Sequence, residues 1–318
     1  MIKIDVVSGF LGAGKTTFIK KILKACADNN EQVVLIENEF GQIAIDGDQV
    51  RREGFTVYEI SQGCVCCSLI HDFTYTLGEI LTKIKPERVI FEPSGIFMLG
   101  EIFEIVKNSD IAKAYYLNSV ITIIDSVNYI DQNQKYTSFF ENQIQYADTL
   151  ILSKSQFINE ASITKIVTDL KNINENANVV TEDWNTFNNV NILNLIDRDL
   201  RGHLDNLIQQ VECQECASHG NDDRLHHVRH QSFQSFGLTN IRIFAHDELK
   251  NILEALKGEE YGDIIRGKGF IRTVKGIYEF SYVFGYYTIT EVFHEPSVMV
   301  CFIGDSLNKE KLSNLFMG

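Results

Sequence analysis

Three cysteines stand within four residues of one another, in the segment GCVCC at positions 63–67. In an extended segment the side chains of Cys64 and Cys66 point to the same side, and a turn would bring Cys67 to join them. Three thiolates suit Zn²⁺, Cu⁺ and, at the margin, Co²⁺ or Ni²⁺, and they leave the fourth tetrahedral position open. A nearby side chain could fill and release that position, namely His71, Glu37 or Glu39. The segment therefore predicts a transition-metal site with one exchangeable ligand.

Two roles that need no metal stay open for these cysteines. Cysteines can be inert packing residues in a core, although three in four residues beside a turn glycine are unusual for that purpose. They could also form a redox pair, but their spacing differs from the C-x-x-C of thioredoxin-like sites.

The segment GFLGAGKT, at positions 9–16, has the spacing of a phosphate-binding loop. It follows the apolar run IDVV and precedes the helix-like run TTFIKKIL, which is the context that such a loop requires. Glycines let backbone N–H groups curl around a phosphate, and the start of the helix adds partial positive charge. Lys15 is expected to reach the β- and γ-phosphates, and the Thr16 hydroxyl to bind Mg²⁺. The residues expected to hold the nucleotide are Gly9, Gly12, Ala13, Gly14, Lys15, Thr16 and Thr17.

Carboxylates follow several apolar runs, where a nucleotide-bound Mg²⁺ would need oxygen ligands. In VIFEPSG, Glu92 is the expected second support for the magnesium ion, and Gly95 would let the backbone approach the γ-phosphate. In LIENEFG, Glu37 and Glu39 could each act as a base, position the attacking water or bind metal, and Asp125 in ITIIDS is a further candidate. For any single carboxylate, a solvated or capping role stays open. The expected catalytic residues are Lys15, Glu39 and Glu92.

The elements that must position these residues alternate along the first 200 residues. Apolar runs of strand length occur at IKIDVVSG, QVVLIENE, GFTVYEI, RVIFEPSG, SVITIIDS and DTLILSKS. Helix-like stretches such as GKTTFIKKILKACADNN and DFTYTLGEILTKIK lie between them. This alternation predicts an α/β fold with a doubly wound, mostly parallel sheet, which binds ligands at the carboxyl ends of its strands.

We predict three parts along the chain: a P-loop domain at 1–200, a linker at 201–231 and a smaller α+β domain at 232–318. The last part alternates aromatic and β-branched residues in IIRGKGFIRTV, IYEFSYVFGYYTITEV and SVMVCFIG, and it includes the helix-like DELKNILEALKG and NKEKLSNLF. That pattern predicts a small antiparallel sheet with two helices.

The linker carries a second group of metal-binding residue types. Cys213, Cys216 and His219 have C-x₂-C-x₂-H spacing, and more histidines follow, His226, His227 and His230. Such tracts are typical of metal sites, although a solvated polar linker accounts for them as well.

Charge and cysteine content exclude several classes of function. A net charge of −14 argues against general nucleic-acid or membrane binding, which relies on clustered Lys and Arg. Seven cysteines in 318 residues, an odd number in a long chain, argue against a disulfide framework. The first residues lack the apolar core of a signal peptide, and no apolar run reaches membrane-spanning length. We therefore expect a cytoplasmic protein.

With these motifs assembled, the sequence resembles the CobW family of P-loop GTPases, relatives of the nickel metallochaperones HypB and UreG. The resemblance covers nearly the whole length and rests on SGFLGAGKTT, ENEFG followed by Asp46 in IAID, GCVCCSL, FEPSG, VITIIDS and NQIQYADTLILSKS, with IIRGKGFI and VCFIGDSL near the C-terminus. It implies a GTPase that binds Zn²⁺ or Co²⁺ at the three clustered cysteines and delivers it, on hydrolysis, to a client protein. By position, it implies that Gly9 to Thr17 bind phosphates and Mg²⁺ and that Glu92 belongs to the Walker B segment.

One segment departs from the family pattern. The family reads guanine with Asn-Lys-x-Asp, whereas this chain has Ser153, Lys154, Ser155 and Gln156. An aspartate accepts two N–H bonds from guanine, and a neutral glutamine cannot reproduce that charge-assisted pair. Lys154 is retained and could stack over the base. GTP remains the expected nucleotide, with guanine selectivity either weakened or supplied by another group.

We therefore expect a GTP-hydrolysing metallochaperone that turns over slowly without metal or a partner. Its cofactors would be GTP, Mg²⁺ and Zn²⁺ or Co²⁺, with Ni²⁺ as a further option. Its partner would be a client metalloprotein or a cobalt-insertion enzyme, without nucleic acid or membrane, and a metal- or nucleotide-dependent homodimer is compatible with the motifs. Two alternative functions stay open: a nucleotide-regulated metal buffer or sensor with little hydrolysis, and an ATP-preferring P-loop enzyme.

Overall fold

The computed structural model describes residues 1–38, 55–59, 67–95, 97–107, 113–197, 234–239, 241–292 and 296–317. These residues form two compact units, an N-terminal one that extends to Asp197 and a C-terminal one that starts at Gln234. Each unit has its own sheet and its own hydrophobic core. The predicted linker at 201–231 lies outside the described residues, so the two predicted boundaries between the three parts stay a prediction.

The N-terminal unit contains a seven-stranded parallel sheet with the strand order β3-β2-β4-β1-β5-β6-β7. Its strands are β1 (Ile2–Gly9), β2 (Val33–Glu37), β3 (Thr56–Glu59), β4 (Arg88–Glu92), β5 (Tyr115–Asp125), β6 (Thr149–Ser153) and β7 (Asn178–Val180). The helices around it are α1 (Lys15–Asp28), α2 (Cys67–Lys83), α3 (Glu101–Lys107), α4 (Tyr129–Lys135), α5 (Thr137–Gln145), α6 (Glu160–Ile173) and α7 (Asn189–Ile196).

Both faces of this sheet are covered by helices, because its strands are apolar on both sides. Within β4, Val89 and Phe91 join one hydrophobic cluster, which includes side chains of α2 and α3. The residue between them, Ile90, joins the other cluster, which includes side chains of α1 and α7. Cys26 of α1 is fully buried in this second cluster, and burial raises the pKa of its thiol to about 12. The predicted doubly wound parallel sheet is thereby confirmed.

The register of the strands brings their carboxyl ends to one edge. Glu37, the last residue of β2, is paired with Glu92, the last residue of β4. On the other side of β1, Asp125 of β5 is paired with Ser153 of β6. Since the phosphate-binding loop follows β1 in the middle of the sheet, all the described candidate carboxylates end strands that flank it.

A buried ion-pair network ties strands together near the opposite, amino-terminal edge. Arg88 is fully buried, and its guanidinium donates to the carboxylates of Asp5, of Glu31 at 3.0 Å and of Asp197 at 2.8 Å. Asp5 also accepts from the Ser119 hydroxyl at 2.6 Å. Desolvation raises the pKa of Asp197, but the hydrogen bonds from Arg88 and a nearby lysine outweigh it, so its pKa lies below the usual value. This network joins β1, β4, β5 and the end of α7.

The C-terminal unit contains a five-stranded antiparallel sheet with the order β11-β10-β9-β12-β8. Its elements are β8 (Gln234–Leu238), α8 (His246–Ala255), β9 (Asp263–Thr273), β10 (Gly276–Val283), β11 (Tyr286–Val292), β12 (Met299–Asp305) and α9 (Lys309–Met317). Phe316 of α9 packs against Phe280 and Phe302 of the sheet, with ring centroids 6.5 and 5.2 Å away. This sheet with two helices confirms the α+β prediction.

Among the helices of the described residues, none has both the length and the apolar character needed to cross a bilayer.

Candidate nucleotide site

The phosphate-binding loop runs from the end of β1 to the start of α1. At Gly9 the backbone has φ of +143°, and a Cβ atom would lie 2.5 Å from the carbonyl oxygen of Ile123 in β5, so only glycine fits there. Gly14 is the residue before α1, whose first turn has no side-chain cap and no acidic residue among the described residues. The N–H groups of that turn can therefore bind an anion.

The side chain of Lys15 is folded over this loop. It is 5% exposed, and its ammonium donates to the carbonyl oxygens of Gly9, at 3.0 Å, and of Phe10, at 3.4 Å. The positive charge is thereby held where the loop would bind phosphate oxygens. The other expected nucleotide-binding residues of the loop lie beside it: Gly12 with φ of +74°, Ala13 buried and Thr17 exposed.

Thr16 and Glu92, the two expected magnesium ligands, contact each other. The Thr16 hydroxyl donates to the Glu92 carboxylate, with Oγ1 at 3.0 Å from Oε1 and 3.3 Å from Oε2. Glu92 is only 8% exposed. A hydroxyl and a carboxylate are the hard oxygen ligands that Mg²⁺ prefers, so the residues present fit this ion.

Glu37 lies at the neighbouring strand end, beside Glu92, and is 5% exposed. The backbone N–H of Asn38 donates to the carbonyl oxygen of Glu92 at 2.8 Å, which fixes the end of β2 against the end of β4. Glu39, Asp46, Cys64 and Cys66 lie outside the described residues. Helix α2 begins at Cys67, but the side chains of Cys67 and His71 are not described either.

The segment after β4 passes close to the phosphate loop at Gly95. A Cβ atom on Gly95 would lie 2.6 Å from the backbone nitrogen of Leu11, so this approach requires glycine. The segment that carries Glu92 therefore lies against the loop that carries Lys15.

The segment expected to read the base lies at the end of β6. Lys154, with φ of +59°, donates through Nζ to Asp125 Oδ2 at 2.6 Å and to the carbonyl oxygen of Gly12 at 3.3 Å. Asp125 also accepts from the backbone N–H groups of Val127 and Asn128. Its carboxylate therefore holds this edge together. Gln156 is exposed in the short turn that follows.

Trp184 was not singled out by the sequence patterns, although it underlies the phosphate site. Its ring lies 5.3 Å from that of Phe18 in α1, and a Cβ atom on Gly14 would be 3.3 Å from it. Because it is the single tryptophan of the chain, its rarity was the only signal.

The second predicted metal site, with Cys213, Cys216 and His219, lies outside the described residues. Within the parts of the chain that are described, no group of three or more His, Cys, Asp or Glu side chains has the arrangement of a metal site.

The parallel sheet, the loop after β1 and the positions of Lys15, Thr16 and Glu92 define a P-loop nucleoside-triphosphate-binding protein. The family model described as the CobW/HypB/UreG nucleotide-binding domain matches residues 3–181, and that of the cobalamin synthesis protein CobW C-terminal domain matches residues 233–318. The chain belongs to the CobW/HypB/UreG family of P-loop GTPases, as its motifs had suggested.

Several curated proteins are similar to this chain. The zinc chaperone YjiA of Escherichia coli K12 is 30% identical over 186 residues, which are 57% of this chain and 57% of YjiA. The zinc-regulated GTPase metalloprotein activator 1 of Dictyostelium discoideum is 24% identical over 320 residues, covering 85% of this chain and 62% of that protein. The chain spans about half the length of the first curated relatives it matches.

Solved structures with a similar fold include Zn(II)-bound YjiA GTPase from E. coli and the hydrogenase maturation factor HypB from Archaeoglobus fulgidus. The first is 21% identical with a TM-score of 0.43, and covers 99% of this chain and 97% of its own. The second is 20% identical with a TM-score of 0.46, and covers 64% of this chain and 90% of its own.

Proposed function

We propose that this chain is a GTP-hydrolysing metallochaperone that binds a transition metal, Zn²⁺ or Co²⁺, and delivers it to a client protein. The observation that carries the nucleotide part is the contact between Thr16 and Glu92 beside the buried Lys15, since this set brings a cation and two magnesium ligands to one loop. Family membership supports GTP as the nucleotide.

Binding of a nucleotide would exchange contacts within the site. Lys15 would leave the carbonyl oxygens of Gly9 and Phe10 and donate to the β- and γ-phosphates. Thr16 and Glu92 would give up their mutual hydrogen bond and hold the Mg²⁺ ion with their oxygen atoms. Mg²⁺, when bound, neutralises charge on the phosphate oxygens. Lys15 and the N–H groups at the start of α1 would stabilise the charge that moves onto those oxygens during cleavage.

The cargo site in this proposal is the cluster of Cys64, Cys66 and Cys67, with Glu37 or Glu39 as the exchangeable ligand. Zinc is favoured as cargo because the relatives are named zinc chaperones, while cobalt and nickel fit the same thiolate chemistry. Glu37 ends β2 next to Glu92, so nucleotide and cargo ligands would share one edge of the sheet. The metal- or nucleotide-dependent homodimer belongs to this proposal as well.

The test measures whether the two sites are coupled. Affinity for a fluorescent, non-hydrolysable GTP analogue is titrated with Mg²⁺, in the presence and absence of Zn²⁺. Linkage requires that zinc change nucleotide affinity by the factor with which nucleotide changes zinc affinity, and about 5- to 150-fold is typical of such coupling. If the nucleotide affinity is the same with and without zinc, although the chain still binds zinc, the coupling is rejected.

Two variants locate the effect. Cys66→Ser is expected to abolish tight zinc binding and the coupling. Its affinity for the GTP analogue should equal that of the wild-type chain measured without zinc, whether or not zinc is added. Cys26→Ala is the matched control, because Cys26 is buried in the core and its thiol stays protonated at neutral pH.

An ATP-preferring enzyme is the second candidate, and Gln156 is the observation that favours it. The exposed, neutral glutamine offers no carboxylate for the N–H groups of guanine. Competition between ATP and GTP for the site, with Mg²⁺ present, decides between the two candidates.

A further inference from the structure

Gln143, in helix α5, is a buried polar side chain of the segment NQIQYADTLILSKS, and nothing above gives it a role. It is only 1% exposed, and its Nε2 donates to the carbonyl oxygens of Gly95, at 3.0 Å, and of Phe97, at 3.3 Å. A side-chain amide has two donor hydrogens, so both are used on this segment. Its Oε1 is also buried and has no hydrogen-bond partner among the residues that the structure describes.

The two carbonyls belong to the segment that follows β4 and its terminal Glu92. At Gly95 this segment lies against the backbone of Leu11 in the phosphate loop. At Phe97 it is anchored in the core, where the Phe97 ring meets Phe91 edge-on at 6.1 Å. The amide of Gln143 therefore fixes the part of the segment that touches the phosphate loop.

Helix α5 is attached to the phosphate loop as well. Tyr136, the residue before the helix, stacks on Phe10 with ring centroids 5.0 Å apart. The Thr122 hydroxyl of β5 donates to the backbone carbonyl oxygen of Gln143 at 2.7 Å, which holds the end of the helix against the sheet. One helix thus connects the two loops that would enclose the terminal phosphate.

We propose that Gln143 is a positioning residue for the terminal phosphate, because it holds Gly95 where the N–H of that glycine can meet the γ-phosphate. The inference rests on the proposed function, in that it takes the phosphate loop to be the triphosphate site. A diphosphate lacks the group that would reach Gly95. Gln143 therefore supports binding of the triphosphate, not of the diphosphate, and sets the preference between the two nucleotide states.

The first test compares affinities for GDP and for a non-hydrolysable GTP analogue, each with Mg²⁺, in the wild-type chain and in Gln143→Leu. Leucine occupies a similar volume but donates no hydrogen bond, so the segment after β4 loses both contacts. Affinity for the analogue is expected to fall about ten-fold, the effect of roughly one net buried hydrogen bond. Affinity for GDP is expected to stay unchanged, which also shows that the variant is folded.

Gln143→Glu separates positioning from packing, because it keeps the shape of the side chain. An ionised carboxylate donates nothing and repels the two carbonyl oxygens, whereas a protonated carboxyl can donate to one of them. The preference for the triphosphate is expected to be lost at pH 8 and to return in part at pH 6. This dependence on pH is a signature that a purely structural role would not produce.

Matched controls are the wild-type chain and Gln132→Glu over the same pH range. Gln132, in α4, is also 1% exposed, and the side-chain amide of this residue has no hydrogen-bond partner among the described residues. The triphosphate preference of the wild-type chain, measured against pH, corrects for the titration of Glu101, whose pKa is raised by burial to about 7.

Each failure has its own signature. If the wild-type chain binds neither nucleotide, the proposed function fails and the role of Gln143 fails with it. If Gln143→Leu weakens GDP and the analogue equally, Gln143 supports only the fold of the site and the positioning role is wrong. If the leucine variant does not fold, Gln143→Glu decides alone: a triphosphate preference with the same pH dependence as the controls overturns the inference.

Discussion

At the scale of single residues, the polar groups of the phosphate site form hydrogen bonds within the protein. Thr16 donates to Glu92, and Lys15 donates to Gly9 and Phe10. A magnesium nucleotide needs the same atoms, so binding exchanges protein hydrogen bonds for bonds to the ligand. Because such an exchange is worth only about 1 kcal/mol per bond, the charge of the triphosphate must supply much of the affinity. The site is therefore expected to favour highly charged phosphate groups.

Glu101, the first residue of α3, gives a prediction of pH-dependent stability. Desolvation raises the pKa of its carboxyl from 4.5 to about 7 in the folded chain. The stability associated with the protonated form is present below pH 4.5 and is lost as pH rises through 7. Glu101→Gln cannot ionise, so this variant is expected to be more stable than wild type at pH 8, by about 1–2 kcal/mol after allowing for partial exposure. Urea unfolding at pH 5 and pH 8 measures the difference.

The control for Glu101 is a glutamate with the opposite environment. Glu79 lies on the surface of α2 and pairs with Lys83 at 2.8 Å, and that hydrogen bond lowers its pKa. Glu79→Gln should therefore show no gain in stability at pH 8. A gain for Glu101→Gln that is equal at both pH values would contradict an origin in ionisation.

At the scale of secondary-structure elements, the ion-pair network around Arg88 is expected to hold β1 and β4 together. Arg88→Leu would leave the fully buried carboxyl of Asp5 without its cation, at a cost of about 3–5 kcal/mol of unfolding free energy. The double variant Asp5→Leu/Arg88→Leu should recover much of this loss, since it removes the fully buried carboxyl together with its cation, and the remaining carboxylates, Glu31 and Asp197, keep Lys3 as a partner. Equilibrium unfolding in urea measures both.

An exposed ion pair supplies the comparison for that network. Lys83→Ala removes the surface pair with Glu79, and water and salt screen such a pair so well that its loss should barely change the unfolding free energy. If Arg88→Leu cost no more than Lys83→Ala, the buried network would not stabilise the sheet.

The elements also show what could be predicted from the sequence. Strand β1 has the predicted bounds, Ile2–Gly9, because its Ile and Val side chains are buried on both faces of the sheet, although Lys3 and Asp5 interrupt the apolar run. Strand β7 was missed, since its three residues are too few to show a pattern, and β5 begins at Tyr115, before its predicted run. Local patterns therefore located most of the sheet.

Contacts between distant residues were beyond such patterns. Thr16 and Glu92 could be paired in advance because each belongs to a motif with a known partner, the magnesium ion. Arg88 and Asp5 are 83 positions apart, and nothing in their spacing connects them. Gln143 reads as one polar residue of an amphipathic helix until the fold places its amide on Gly95.

At the scale of the whole molecule, two units with separate cores predict two unfolding transitions. Trp184, the single tryptophan, lies in the N-terminal unit, so its fluorescence reports on that unit alone, whereas circular dichroism reports on both. A GTP analogue at 100 times its dissociation constant should stabilise the unit that binds it by about 2.7 kcal/mol. The analogue is therefore expected to move the transition seen by fluorescence to higher denaturant concentration. The second transition, seen only by circular dichroism and assigned to the C-terminal unit, should not move. A single transition that shifts as a whole, by both probes, would contradict independent units.

The burial of two cysteines has a practical consequence for work on the other five. Cys26 is inaccessible and its thiol is protonated at neutral pH, and Cys301 is 8% exposed in the second sheet. Alkylating reagents attack exposed thiolates, so neither residue would compete for the label. Mass-spectrometric mapping of alkylation would then report on the other five cysteines as metal is added or withdrawn. Neither Cys26 nor Cys301 would have to be replaced for this experiment.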